Sequence, residues 1–262
     1  MRFTTFTLTL LVSFSAFSQD IDYARAVLDT LCSERYDGRG FYNNGERRAA
    51  NFIQKEFEKF GLKTFEDSWF QKFKLSVSSI VGETKLSLDG NTLTPGADYI
   101  IDPASPTYAG NAKVLILKKS QLTDTDKFIA AVKSGTGKFI VIDQTEVAEE
   151  PREVRSQVQE MLGFLKFDPN PRVAGVIELV DKLTFTASQQ KGFRPHLVVL
   201  KEKFPAKCKA VEAKVENKFT RNYTSRNVIG YVEGEIKDTF ICIIGHYDPV
   251  SYTHLRAHET HN

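Results

Sequence analysis

An α/β fold interrupted by a β-rich inserted domain is predicted by three features of this 262-residue chain. Two amphipathic helical segments open it, the hydrophobic period drops to two after Trp69, and the apolar run at residues 240–244 reads as a central strand covered on both faces. The first helix rests on Ile21, Ala24, Val27, Leu28 and Leu31, which recur at helical spacing. After the punctuation of Asp37-Gly38-Arg39-Gly40, a second helix is predicted over residues 45–60. Ala49, Phe52, Ile53, Phe57 and Phe60 form its inward face, and Gly61 is its left-handed stop.

Phe73, Leu75 and Val77 then alternate, as do Leu86 and Leu88, and Asp89-Gly90-Asn91 reads as a tight hairpin turn. The segment beyond has α/β character: strands at 113–117 and 138–142, helices at 125–133 and 151–162, and further strands at 173–179 and 196–199. Residues 207–219 alternate as a half-exposed strand. After Asn222-Tyr223-Thr224-Ser225, a strand at 226–234 closes on Gly234. It is expected to pair antiparallel with 240–244, since so short a linker holds no crossover helix. The core is expected to contain Leu75, Val77, Leu86, Val114, Ile116, Ile140, Val141, Val198, Val228, Ile229, Ile241 and Ile243.

The ends read differently from the middle. Met1-Arg2, an apolar run and the small-x-small pattern Ala16-Phe17-Ser18 predict a signal peptide over residues 1–18. That places the protein in a secreted or periplasmic setting, with no stable membrane insertion because the run is short and rich in Thr and Ser. From Val250 to Thr260 the peptide resembles a translated sequencing adapter, so residues 249–262 are expected to be an artefactual tail and Asp248 the last authentic residue. His254, His258 and His261 imitate a metal motif there, but their spacing is not that of a helical His-Glu-x-x-His site.

The charge of +2, from 35 basic and 33 acidic residues, gives no electrostatic reason to expect a nucleic-acid partner. Cys32, Cys208 and Cys242 are too few for a disulfide scaffold, and Cys242, set among Ile residues, reads as a small buried hydrophobe. Gly38, Gly40 and Gly45 lack the setting of a phosphate loop and read as turn geometry. Glu149-Glu150 read as a solvated face rather than a catalytic pair.

The residues that carry chemistry are Gly245-His246-Tyr247-Asp248, just past the 240–244 run. His246 lies where α/β sheets gather their active-site loops, and neutral imidazole is a good zinc ligand. Asp248, two residues on, is close enough to hold the other ring nitrogen. Taken alone, His246 also reads as an exposed turn histidine.

Asp37-Gly38-Arg39-Gly40, then Gly45-Glu46 with Ala49-Ala50 and Ile53, then Phe60-Gly61-Leu62, Asn227-Val228-Ile229-Gly230 with Gly234, and finally Gly245-His246-Tyr247-Asp248 resemble, in that order, the two-zinc exopeptidase family of secreted bacterial aminopeptidases and glutamate carboxypeptidase, peptidase family M28. The middle of the chain is similar in position and style to that family's protease-associated insert. The resemblance implies an incomplete zinc-exopeptidase sheet domain. Its parts are an N-terminal helical part at 19–68, an inserted β-rich protease-associated-like domain at 69–206, and the first core strands at 207–248.

It also implies peptide substrates, two zinc ions in the intact protein, His246 as a metal ligand and Asp248 as the residue that orients it. The family's general-base glutamate and remaining ligands would lie downstream of Asp248, so no catalytic residue is expected in this chain and it is expected to be inactive. Related carboxypeptidase or glutaminyl cyclase chemistry, or a non-catalytic extracellular binding protein, are the alternatives. Oligomeric state is left open.

Overall fold

The structure, a computed structural model, describes residues 20–184, 186–236 and 238–248. The expected signal segment and the expected tail, with its three histidines, fall outside them. Helix α1 (Ile21–Cys32) starts at Asp20, whose carboxylate accepts the Tyr23 N–H at 2.9 Å and so satisfies one of the helix's free first-turn donors. Helix α2 (Gly45–Lys59) stops before Gly61, which takes φ +70°, as its sequence predicts. Phe60, expected inward, is 59% exposed and meets Tyr23 edge-on at 5.3 Å.

Among the described residues eight strands follow, with helices between them. They are β1 (Phe70–Leu88), β2 (Asn91–Thr92), β3 (Tyr99–Ile101), β4 (Tyr108–Ile116), α3 (Lys119–Leu122), α4 (Thr125–Ser134), β5 (Phe139–Asp143), α5 (Arg152–Phe167), β6 (Gly175–Val180), β7 (His196–Leu200) and β8 (Ala210–Val228). The β1–β2 hairpin is the predicted one: Leu88 pairs with Asn91, and Asp89 and Gly90 both take positive φ, the two-residue turn whose twist matches the strands.

The strands form one mixed sheet in the order β2-β1-β8-β4-β5-β6-β7-β3, parallel from β4 to β7 and antiparallel elsewhere. Strand β5 is buried throughout because its alternate residues serve two cores. Ile140 and Ile142 face α4 and α5, packing against Phe128, Val132, Val158 and Leu165. Phe139 and Val141 face the opposite side, where Leu86, Tyr99, Ile177, Leu197, Val211 and Val215 gather from five further strands without a helix. Such a cluster closes only if the sheet curls on itself. The expected β-rich region carries β1 to β7, with helices over one face of its parallel strands.

The sequence reading of two strands at 207–219 and 226–234 is corrected. Strand β8 runs unbroken from Ala210 to Val228, paired along its length with β1. The polar residues taken for a break hold a β-bulge: register shifts between Leu75 and Val77, and Asn222 adopts φ +55°, which asparagine tolerates. Beyond Val228 the chain is tied to residues 63–69 instead, through Ile229 N–H to Trp69 O (2.9 Å) and a reciprocal Lys63–Tyr231 bridge.

The expected strand at 240–244 is also corrected. It belongs to no ladder, Ile241 and Ile243 are each 94% exposed, and Cys242 is exposed rather than buried. An apolar run on both faces needs cover on both sides, and no described element supplies it. Ile116, another expected core residue, is 37% exposed on its strand. Among the described residues no helix is long and apolar enough to cross a membrane.

Candidate functional site

The Asp37-Gly38-Arg39-Gly40 loop is built from three successive left-handed residues, Asp37 (φ +43°), Gly38 (+65°) and Arg39 (+58°). For residues carrying a Cβ this conformation costs about 1–2 kcal/mol each, so the surroundings must hold it. Arg48 does so from α2, donating to the carbonyls of Arg35 (2.7 Å) and Asn43 (2.5 Å) and pairing with the Asp37 carboxylate. Gly45 lets the helix start against the loop, because a Cβ there would run into the Tyr36 carbonyl. Glu46 N–H then bonds the Gly40 carbonyl at 2.8 Å.

The loop turns Arg39 inward, to 8% exposure. Its Nε donates to the Tyr247 carbonyl at 2.7 Å and its Nη1 to the Leu31 carbonyl in the last turn of α1 at 2.6 Å. Tyr247 is held a second time by its side chain, the phenol donating to the Arg226 carbonyl at 2.8 Å. On either side of it, His246 and Asp248 reach solvent with side chains 63% and 69% exposed. The His246 Nδ1 lies 2.9 Å from the Asp248 carbonyl oxygen and 3.7 Å from its carboxylate, so the backbone is the hydrogen-bond partner. With Nδ1–H donating to that carbonyl, the Nε2 lone pair faces outward.

Under this segment lies a buried polar floor. Glu46, 3% exposed, accepts the Tyr223 phenol at 2.8 Å, while Glu46 Oε2, Arg47 Nε and Arg226 Nε are buried without partners. Burial, and then Glu46, push the Tyr223 and Tyr247 phenols up to about 12 from 10.0. A raised phenol favours the fold up to the unfolded value and loses that contribution as pH climbs through the folded one. Stability is therefore expected to fall between about pH 10 and pH 12, and Tyr223→Phe with Tyr247→Phe to flatten that fall. Unfolding by urea at stepped pH checks it; an equal slope in the double variant would contradict it.

The residues described do not fit a zinc pair. A catalytic zinc takes three protein ligands and a paired site takes more. Among the described residues no group of three His, Cys, Asp or Glu side chains comes together to hold a metal. His246 offers one nitrogen. Glu149 is exposed and Glu150 pairs with Lys119, consistent with a solvated face.

Sequence reasoning passed over a second polar group beneath α5. His196 is 2% exposed, with Nε2 2.8 Å from Glu178, though outside hydrogen-bonding alignment, and Nδ1 3.6 Å from Asp102. Lys166 closes the group at 2.5 Å from Asp102, and Gln144 donates to Glu178 at 2.9 Å. Its one signal in the sequence is Glu178, a lone charge inside the apolar strand Gly175–Val180. A hollow of about 520 Å³ opens nearby at the carboxyl ends of β5 and β6, lined by Gln144, Arg152, Arg155, Ser156 and Lys182 among others. None of these residues touches His246 among the contacts described.

No family model and no curated protein matches the chain. Among solved structures it is similar to an aminopeptidase from Aneurinibacillus sp. strain AM-1, with a TM-score of 0.44 and 14% identity, covering 79% of this chain and 47% of that one. It is also similar to a peptidase M28 precursor from Shewanella amazonensis SB2B, with a TM-score of 0.41 and 15% identity, covering 81% of this chain and 54% of that one. The chain thus spans about half the length of each.

Proposed function

We propose that this chain is part of a secreted, zinc-dependent aminopeptidase that removes N-terminal residues from peptides. In this reading His246 is a metal ligand and Asp248 is its orienting partner through its carbonyl or carboxylate. The observation that carries the reading is the Arg39–Tyr247 hydrogen bond, made across 208 positions of sequence. Two segments that resemble one peptidase family, quoted separately from the sequence, meet beside the proposed ligand. The outward Nε2 lone pair supports the same assignment, and the signal-like segment at 1–18 supports export. The division of the chain into a helical start, an insert at 69–206 and core strands from 207 is proposed with it.

The general base and the other ligands are proposed to follow Asp248 in the natural reading frame. The 262-residue chain itself is proposed to be inactive, since among its described residues no three His, Cys, Asp or Glu side chains come together to hold a metal. Hydrolysis of unblocked aminoacyl anilides, with chelator and zinc add-back, tests both parts. No turnover is expected from this chain, against chelator-sensitive turnover from a gene-length protein. Robust turnover by the 262-residue chain would remove the inactivity proposal. A genomic frame lacking an acidic bridging ligand, adjacent glutamates and a late histidine would remove the peptidase proposal.

A further inference from the structure

We infer that Arg39 is a positioning residue for His246, and that the strained Asp37–Gly40 loop exists to deliver its guanidinium to the Tyr247 carbonyl. The inference rests on the proposed role of His246. Tyr247 is half-buried, while His246 and Asp248 on either side of it are exposed, so holding residue 247 against the loop also holds the backbone from which both neighbours project. Tyr247 is fixed twice, at its carbonyl by Arg39 and at its phenol by the Arg226 carbonyl. The consequence is the contact between His246 Nδ1 and the Asp248 carbonyl, which selects the tautomer with Nε2 unprotonated.

The arrangement is costly enough to need a reason. Arg39 loses nearly all its water and sits at positive φ. A turn alone would need neither. Its donors go to carbonyls at Leu31 and Tyr247, so the guanidinium ties the end of α1 to the segment bearing His246. A lysine offers one compact donor group where arginine spans two carbonyls with a planar fork.

The test uses the full chain with His254, His258 and His261 replaced by Gln, leaving His196 and His246 for nitrogen-15 NMR in metal-free buffer at about pH 9, above the ordinary imidazole range. The parent is expected to show His246 mainly protonated at Nδ1. Arg39→Met is expected to move the tautomer ratio about fivefold toward Nε2–H, the worth of one ordinary hydrogen bond, with His196 signals unmoved. Arg39→Lys is expected to restore part of the shift.

An unmoved ratio in folded Arg39→Met overturns the inference. Should that variant fail to fold, Arg39→Lys and Tyr247→Phe decide: a shift in either supports positioning, and no shift in both overturns it. Zinc competition with a chromophoric chelator on His246→Gln is read separately. Unchanged zinc affinity there would defeat the ligand reading while leaving the tautomer result standing.

Discussion

Arg194→Met is expected to lower the unfolding free energy by about 3–5 kcal/mol, because it strips two buried carbonyls of their partners at once. Arg194 is 5% exposed. Its Nε and Nη2 donate to the Pro171 carbonyl at 3.0 and 2.5 Å, and its Nη1 to the Leu165 carbonyl. Leu165 lies in the last turn of α5, and the residue four positions on, which would ordinarily donate to it, is Pro169. Proline has no N–H to give. The guanidinium therefore replaces a helical hydrogen bond the sequence cannot make. Burial holds the Arg194 pKa down, yet a guanidinium stays charged across the working range. Urea unfolding with an unchanged slope measures the loss, and Arg194→Lys should recover roughly half of it, since one ammonium reaches one carbonyl well. A loss below about 1 kcal/mol would mean that water replaces the guanidinium.

Gly45→Ala is expected to cost about 2–3 kcal/mol, the range of an overpacked interior, although alanine is the better helix former. The added methyl meets the Tyr36 carbonyl oxygen and carbon and the Gly40 carbonyl, all backbone atoms without a rotamer to yield. The helix start and the loop must part, and Arg39 goes with the loop. The stability loss should therefore come with faster amide exchange at Glu46, whose N–H bonds the Gly40 carbonyl. Gly163→Ala in α5, where a Cβ meets nothing, is the matched control and should be neutral or stabilising. Equal effects at both positions would show that backbone propensity, not contact, sets the cost.

The elements most legible in the sequence are those whose signal is local. Ile21 to Leu31, the Asp89-Gly90 turn and the apolar strand at 138–142 each declare their structure within a few residues, and the structure follows them. The helix expected at 151–162 runs on through Gly163 to Phe167, and the polar stretch from Asn222 taken for a break holds a bulge in an unbroken strand. The 240–244 run misled because apolarity records a need for cover without naming what provides it.

Around the site, His246 and Asp248 were legible as residue types. Arg39 was not, since a charge between two glycines reads as solvated and its partners are backbone carbonyls that any residue would offer. Glu46 was hidden for a different reason: its side-chain partner Tyr223 lies 177 positions away.

The paired strands β1 and β8, each 19 residues long, reach from the curled sheet to the helices. A hydrogen-bonded ribbon of that length stores right-handed twist and adds to it at every bulge. Its two bulged places, at Asn222 and opposite Glu216 near Gly82, act as gear teeth: they fix how far one end is rotated when the other is held. The helical end is therefore held to the curled end by a ribbon of fixed register, and α2 rests against β8 beside the floor that Glu46 and Tyr223 make.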